Sequence, residues 1–190
     1  MNVSRILWLP VAAAMVLGLA GIGPAAAQTP PATAAPNDPF GEPVVMVEKP
    51  IIYVASSGLW DTAFETIVST FKTVYAMMDK QGIKAAGAPM TIYTATDDTG
   101  FQFQAAVPVA QGPNLPPGSD VKVGKSPAGK ALKFVHRGSY DAMDTTYDAI
   151  TNYLDEKQLD AMDLFVEQYM KDPVTTPEDD LVIEIYVPLK

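Results

Sequence analysis

The sequence predicts an α+β domain made of two tandem βαββ units related by a pseudo-twofold axis, with an antiparallel sheet, helices on one face and a central groove. Three observations lead there. A segment with apolar residues at three- and four-residue intervals is followed by two short strand-like runs, and this order occurs twice. The ends of the corresponding elements match: Val54 with Val135, Trp60-Asp61 with Tyr140-Asp141, Tyr93 with Tyr169, and Val107-Pro108 with Val187-Pro188. Their separations of 81, 80, 76 and 80 residues agree once the first helix has an extra turn and the second hairpin a longer loop.

The chain has 190 residues and opens with Met1-Asn2-Val3-Ser4-Arg5, ahead of an apolar run from Ile6 to Ala20 and the small residues Ala25-Ala26-Ala27. A charged start, a short apolar core and an A-x-A site predict a secretory signal peptide over 1–27. The apolar run is shorter than the roughly 20 residues that span a bilayer. The expectation is therefore no membrane span after cleavage, and a periplasmic or secreted protein. Residues 28–43, rich in Pro and Ala, predict a disordered linker. One domain is left over 44–190, with repeats at about 44–110 and 130–190.

The elements follow in order. Val44 to Ala55 reads as extended, with Pro50 marking an edge or a bulge. From Asp61 to Asp79, Phe64, Ile67, Val68, Phe71, Val74, Tyr75 and Met78 share one helix face; Asp61 suits the dipole at its start and Gly82 lies just past its end. Met90 to Ala95 and Phe101 to Pro108 predict a hairpin through Asp97 to Gly100. Gln111 to Gly129, with four prolines and four glycines, reads as a connection between the halves. Lys130 to Val135 is then a strand, and Asp141 to Glu156 a helix with Met143, Tyr147, Ile150 and Leu154 on one face. Leu164 to Met170 and Leu181 to Val187 complete the second unit as strands.

Composition narrows the chemistry. Without cysteine there are no disulfides, thiol nucleophiles or cysteine metal sites. A formal net charge of -9 opposes phosphate backbones, so no nucleic-acid partner is expected, and neutral or cationic small molecules are favoured. Asp97-Asp98 and Asp179-Asp180 fall in turns without the spacing of a calcium loop, so neither a metal nor a cofactor is expected. With one histidine, His136, and no Gly-x-Ser-x-Gly elbow, no nucleophile and base pair suggests itself, and binding is favoured over catalysis.

Strand alternation sorts the side chains. Leu164, Val166 and Met170 are assigned to a helix-covered core, and Phe165, Glu167 and Tyr169 to the opposite face. On the last strand Leu181, Ile183, Ile185 and Val187 are assigned to the core, and Glu184 and Tyr186 to the opposite face. Rings beside carboxylates suit flat or cationic ligands, through stacking, cation–π attraction and charge. Glu167, flanked by Phe165 and Tyr169, is expected to be partly desolvated, with its pKa raised. Tyr53, Trp60 and Tyr93 are the counterparts in the first half, and Tyr140 joins them at the start of the second helix.

Three motifs resemble the GyrI-like effector-binding domains, which occur alone and behind AraC-type and MerR-type DNA-binding regions. They are Val135-His136-Arg137-Gly138-Ser139-Tyr140 after a strand, Phe165-Val166-Glu167-Gln168-Tyr169 leading to Asp172-Pro173, and Glu184-Ile185-Tyr186-Val187-Pro188-Leu189. The resemblance covers about Val44 to Lys190 and is better in the second half. It implies a duplicated βαββ fold with a central pocket for small, often aromatic or cationic compounds, and an acidic residue on the Glu-x-Tyr strand in contact with the ligand. With no helix-turn-helix region and a predicted export signal, the expectation is an exported stand-alone member of that family. It holds an aromatic or cationic ligand between the repeats through Glu167, Tyr169, Phe165, Tyr140, Glu184, Tyr186, Trp60, Tyr93 and Tyr53. The alternatives are a hydrolase of electrophilic small molecules using Glu167 and tyrosines, as some relatives are, and a structural or partner-binding periplasmic protein. No protein partner is identified by the sequence.

Overall fold

The computed structural model describes residues 40–190, so the expected signal peptide (1–27) and residues 28–39 of the expected linker lie outside the described residues. The end of that linker is ordered: Phe40 packs edge-on against Phe134 at 4.8 Å and Tyr153 at 5.7 Å, and a strand starts at Glu42. The elements are β1 (Glu42–Met46), β2 (Pro50–Leu59), α1 (Ala63–Gln81), β3 (Met90–Thr96), β4 (Gly100–Pro108), β5 (Lys122–Lys125), β6 (Gly129–Arg137), α2 (Met143–Lys157), β7 (Phe165–Tyr169) and β8 (Val182–Pro188). Single 3-10 turns, Trp60–Thr62 and Tyr140–Ala142, lead into the two helices.

The helices form where the apolar spacing places them. α1 buries Ile67, Phe71, Val74 and Met78, and α2 buries Met143 and Ile150. Both end on a left-handed residue, Gly82 at φ 63 and Gln158 at φ 53, whose amide caps the last carbonyls. α1 has 19 residues and α2 has 15, which is the one-turn difference that the repeat spacing requires.

The sheet order is β1-β6-β8-β7-β3-β4-β2-β5 and every pairing is antiparallel, with both helices on one face. The order is symmetric about the central β7-β3 pair, as two copies of one unit demand. The register agrees: Ile51 faces Pro108 as Ala131 faces Pro188.

Two features differ from the sequence reading. Val44 to Ala55 is two strands rather than one extended run, and Lys122–Lys125, read as connection, is β5. β1 precedes the first unit in the chain but pairs with β6 of the second, while β5 precedes the second unit but pairs with β2 of the first. Each repeat is thus ββαββ, with its leading strand exchanged. β5 escapes a pattern search because Lys-Val-Gly-Lys has one apolar residue, and its strand form rests on pairing with β2.

The exchange also curls the sheet. On a flat sheet six spacings of about 4.8 Å would put β1 and β2 roughly 29 Å apart. The connection Val47 to Lys49 gives four Cα steps, a reach of about 15 Å. The sheet bends to bring its edges together, and the two crossing connections meet where Lys49 N donates to Ser126 Oγ (3.0 Å) and Ser126 N donates to Lys49 O (2.9 Å).

The main core lies between helices and sheet and includes Ile67, Phe71, Phe103, Phe134, Tyr169, Ile183 and Ile185. A smaller cluster of Ile51, Met90, Ile92, Ala106 and Val166 occupies the other face. Among the described residues, no helix is long and apolar enough to cross a membrane.

Candidate ligand-binding site

β3 and β7 pair at the centre of the sheet, with Thr91 opposite Glu167 and Tyr93 opposite Phe165. Since Tyr93 and Tyr169 occupy equivalent places, Thr91 and Glu167 do too, and the pseudo-twofold passes between them. Glu167 therefore stands at the midpoint of the molecule.

Its face corrects the alternation argument. Glu167 lies opposite Ile185, and Tyr169 opposite Ile183, on β8. Directly opposed residues share a face, so Phe165, Glu167 and Tyr169 point into the helix-covered side with Ile183 and Ile185. Val166 and Leu164 go to the other side, with Tyr186, and Met170 is exposed. Alternation within each strand was correct. The setting of one strand against the other was off by one residue, which turns every side chain over.

There Glu167 is fully buried, at 0 % exposure. Four phenols close around it: Tyr147 OH donates to Oε1 at 2.8 Å, Tyr169 to Oε2 at 2.9 Å and Tyr93 to Oε1 at 3.2 Å, and the Tyr140 hydroxyl lies within hydrogen-bond distance of Oε2 at 3.1 Å. The Tyr93 and Tyr140 hydroxyls are themselves 2.7 Å apart, and the Thr91 hydroxyl is 3.3 Å from that of Tyr169. Burial raises the Glu167 pKa above the ordinary carboxylate value, and the phenolic hydrogen bonds offset part of that rise. The phenols are pushed well above their usual range, first by burial and then by the neighbouring Glu167 charge, so they remain protonated donors.

Rings complete the walls. Phe165 stacks on Tyr93 at 4.3 Å, Phe64 on Tyr140 at 4.9 Å, and Trp60 lies parallel to Tyr93 at 6.4 Å. Tyr147 meets Phe165 edge-on at 5.2 Å. Trp60 is held by donation from Nε1 to the Asp97 carbonyl in the β3-β4 turn, at 2.8 Å. Trp60, Phe64, Tyr147 and Phe165 are half-buried, so they form the boundary between solvent and the buried acid. The arrangement is a groove between the two halves with aromatic sides, beneath which the carboxyl group is buried. It suits a cation carrying flat apolar groups.

Of the residues singled out by sequence, the structure brings together Glu167, Tyr169, Phe165, Tyr140, Trp60 and Tyr93. Glu184, Tyr186 and Tyr53 stand on the opposite face of the sheet. Tyr186 OH donates to Glu184 Oε2 at 2.6 Å, and Lys133 lies 3.7 Å from Glu184 and 2.9 Å from Glu42. Tyr147, Phe64 and Thr91 complete the cluster without having been singled out. For Tyr147 a signal existed: a phenol on the buried stripe of α2 requires a hydrogen-bond partner inside.

His136 is buried, with Nε2 donating to the Ser139 carbonyl at 3.0 Å and Nδ1 taking the Thr146 hydroxyl at 2.8 Å. Burial lowers its pKa. The Ser139 hydroxyl donates to Glu178 at 3.2 Å and not to the ring, so these three residues do not form a nucleophile relay. Among the described residues no three His, Asp or Glu converge on a metal position. Two cavities, of about 400 Å³ beside Ser56, Thr70, Ser119 and Lys122 and of about 260 Å³ beside Met46, Met90, Val166 and Tyr186, are not lined by Glu167.

A family model described as the GyrI-like small molecule binding domain matches residues 44–190. No curated protein matches the sequence. Among solved structures, a hydrolase from Listeria innocua is 14% identical, with 80% of this chain and 92% of that chain covered and a TM-score of 0.54. SAV2435 bound to tetraphenylphosphonium is 14% identical over 79% of this chain and 93% of that one, at 0.54. EcmrR in complex with DNA is 13% identical at 0.66, with 79% of this chain covered; here the match spans only 57% of the larger chain. At these identities the likeness is one of fold.

These comparisons correct the expectation of export. Similar structures include EcmrR on DNA, its C-terminal domain and a putative bacterial transcription regulation protein from Staphylococcus aureus MU50. Such proteins act where the DNA is, in the cytoplasm. The exported member with a signal peptide, periplasmic or secreted, finds no counterpart among them and is withdrawn.

Proposed function

The chain belongs to the GyrI-like small molecule binding domain family, and from that membership we propose that it binds an organic cation with flat aromatic groups, using Glu167 as the counter-charge. The observation that carries this reading is a fully buried carboxyl group whose hydrogen-bond partners among the described residues are all uncharged phenols. A desolvated cation over an aromatic face gains about 2 kcal/mol, and a buried carboxylate without a counter-charge gains more by acquiring one. Tyr93, Tyr140, Tyr147 and Tyr169 then serve twice, as ring faces for the ligand and as donors that orient the acid. Glu167 has no exposure in the unliganded protein, so access requires the half-buried rings of Trp60, Phe64, Tyr147 and Phe165 to turn aside.

Tetraphenylphosphonium, the compound bound to SAV2435, and its anionic isostere tetraphenylborate separate charge from shape. The reading predicts a thermal shift with the phosphonium and none with the borate. Equal shifts would show that the groove recognises only apolar bulk.

A second reading has its own support. A buried acid with a raised pKa beside phenolic donors is equipped to position water for attack on an electrophilic ring, with Tyr140 or Tyr169 as the hydrogen-bond donor. The similar fold of a hydrolase from Listeria innocua is consistent with it. Turnover of a strained electrophilic compound that is lost in Glu167→Gln would favour this reading; turnover that persists would remove Glu167 from it.

A further inference from the structure

The hydroxyl protons around Glu167 can be placed one by one. Facing the carboxyl group are Thr91 and Tyr93 from β3, Tyr140 from the turn before α2, Tyr147 from α2 and Tyr169 from its own strand. The neighbours from the other packed elements, Phe64 of α1 and Ile185 of β8, do not titrate. Among the described residues, every side chain that hydrogen-bonds the acid does so through a hydroxyl.

The 2.7 Å contact between Tyr93 and Tyr140 requires one of them to donate to the other. A neutral glutamic acid satisfies that requirement in a closed ring. Its O–H on Oε2 donates to Tyr140 across 3.1 Å, Tyr140 donates to Tyr93, and Tyr93 donates back to Oε1 across 3.2 Å. Tyr147 donates to Oε1 and Tyr169 to Oε2 from either side, and Thr91 donates to Tyr169. The ionised form has one proton fewer, breaks the ring, and leaves a net charge in a site closed to water.

We propose that the unliganded site holds Glu167 as the neutral acid, and that an arriving organic cation displaces its proton, so that ligand uptake and proton release are one coupled event. The exchange balances: the carboxyl O–H breaks, the proton leaves to solvent, and the carboxylate left behind pairs with the cation at unchanged site charge. Occupancy then follows pH. Below the pKa of the empty site, affinity for a permanent cation falls up to tenfold per pH unit, since the two compete for one carboxylate. This inference rests on the cation-binding reading and adds to it a response to acidity.

The test is calorimetric titration with tetraphenylphosphonium from about pH 5 to about pH 8, in buffer pairs of different ionisation enthalpy. The expected result is a buffer-dependent enthalpy that reports up to one proton released at the acid end and fades toward the alkaline end. Tyr140→Phe, which removes a hydroxyl that holds the Glu167 pKa down but keeps the acid, should shift that dependence to higher pH. Binding whose enthalpy is the same in every buffer at every pH overturns the coupling and leaves the binding function standing. No binding at any pH overturns both. Infrared difference spectra between wild type and Glu167→Gln give an independent reading: a protonated-carboxyl band is expected in the free protein and should vanish on adding the phosphonium. Its absence throughout the pH range would overturn the proposal.

Discussion

Replacing Glu167 by Gln should make the unliganded protein more stable at neutral pH, although it removes the most polar contact in the core. The folded-state pKa of Glu167 is raised above 4.5, with burial as the dominant cause. A raised folded pKa means that the folded protein holds the proton more tightly than the unfolded chain does. The stability contributed by this group is therefore fully present below the unfolded value and is lost as pH rises through the folded one. The resulting cost is largest at neutral and alkaline pH, and glutamine, with nearly the same shape, does not titrate. One amide hydrogen can follow the acid proton to Tyr140, while the second finds few acceptors among donors, at a cost of about 1 kcal/mol. The net expectation is a variant more stable than wild type at pH 8, because burial is the dominant cause of the raised pKa. The gain should shrink toward pH 5. Paired urea and thermal melts across that range are the assay. A variant less stable than wild type at pH 8, or a difference that does not change with pH, would show that the phenols stabilise the carboxylate outright and would refute the reasoning.

Tyr147→Phe removes the shortest hydrogen bond to Glu167, at 2.8 Å, with little change in volume. Tetraphenylphosphonium affinity should fall about tenfold, as expected for one hydrogen bond to a charged group, and titration calorimetry reads it. Gln158→Gly relieves a left-handed residue at the end of α2, at φ 53, and should raise stability by up to about 1 kcal/mol in denaturant melts. His136 titrates in the opposite sense to Glu167: its folded pKa is lowered from 6.5, so its contribution is present above that value and is lost as pH falls through the folded one. Wild-type denaturant midpoints should therefore drop on acidification below about pH 6.5, and His136→Gln should flatten that drop.

The parts of this architecture that were legible in the sequence are those written in spacing. The stripe from Phe64 to Met78 fixes α1, the offset between Trp60-Asp61 and Tyr140-Asp141 reveals the repeat, and the drop of that offset between Tyr93 and Tyr169 carries the four-residue excess of the first helix. What escaped depends on partners rather than on local pattern. Lys122–Lys125 becomes a strand because β2 offers it an edge, and β1 lies beside β6 because each repeat lends its first strand to the other. Alternation showed that Phe165, Glu167 and Tyr169 share a face, but which face the helices cover depends on the pairing of β7 with β8. A glutamate at 0 % exposure runs against the rule that carboxylates face water. The Glu-x-Tyr motif and the family resemblance pointed to Glu167, while Tyr147, hidden in an ordinary apolar stripe, became visible only as its partner.

The most direct test of the central claim is the dissociation constant of tetraphenylphosphonium measured on wild type and on Glu167→Gln at about pH 8, where the wild-type acid is most readily ionised by the ligand. If Glu167 supplies the counter-charge, removing it forfeits a buried ion pair of about 3 kcal/mol or more, and affinity falls by about 100-fold or more while the variant stays folded. Equal affinities in the two proteins would contradict the account and move recognition to the rings alone.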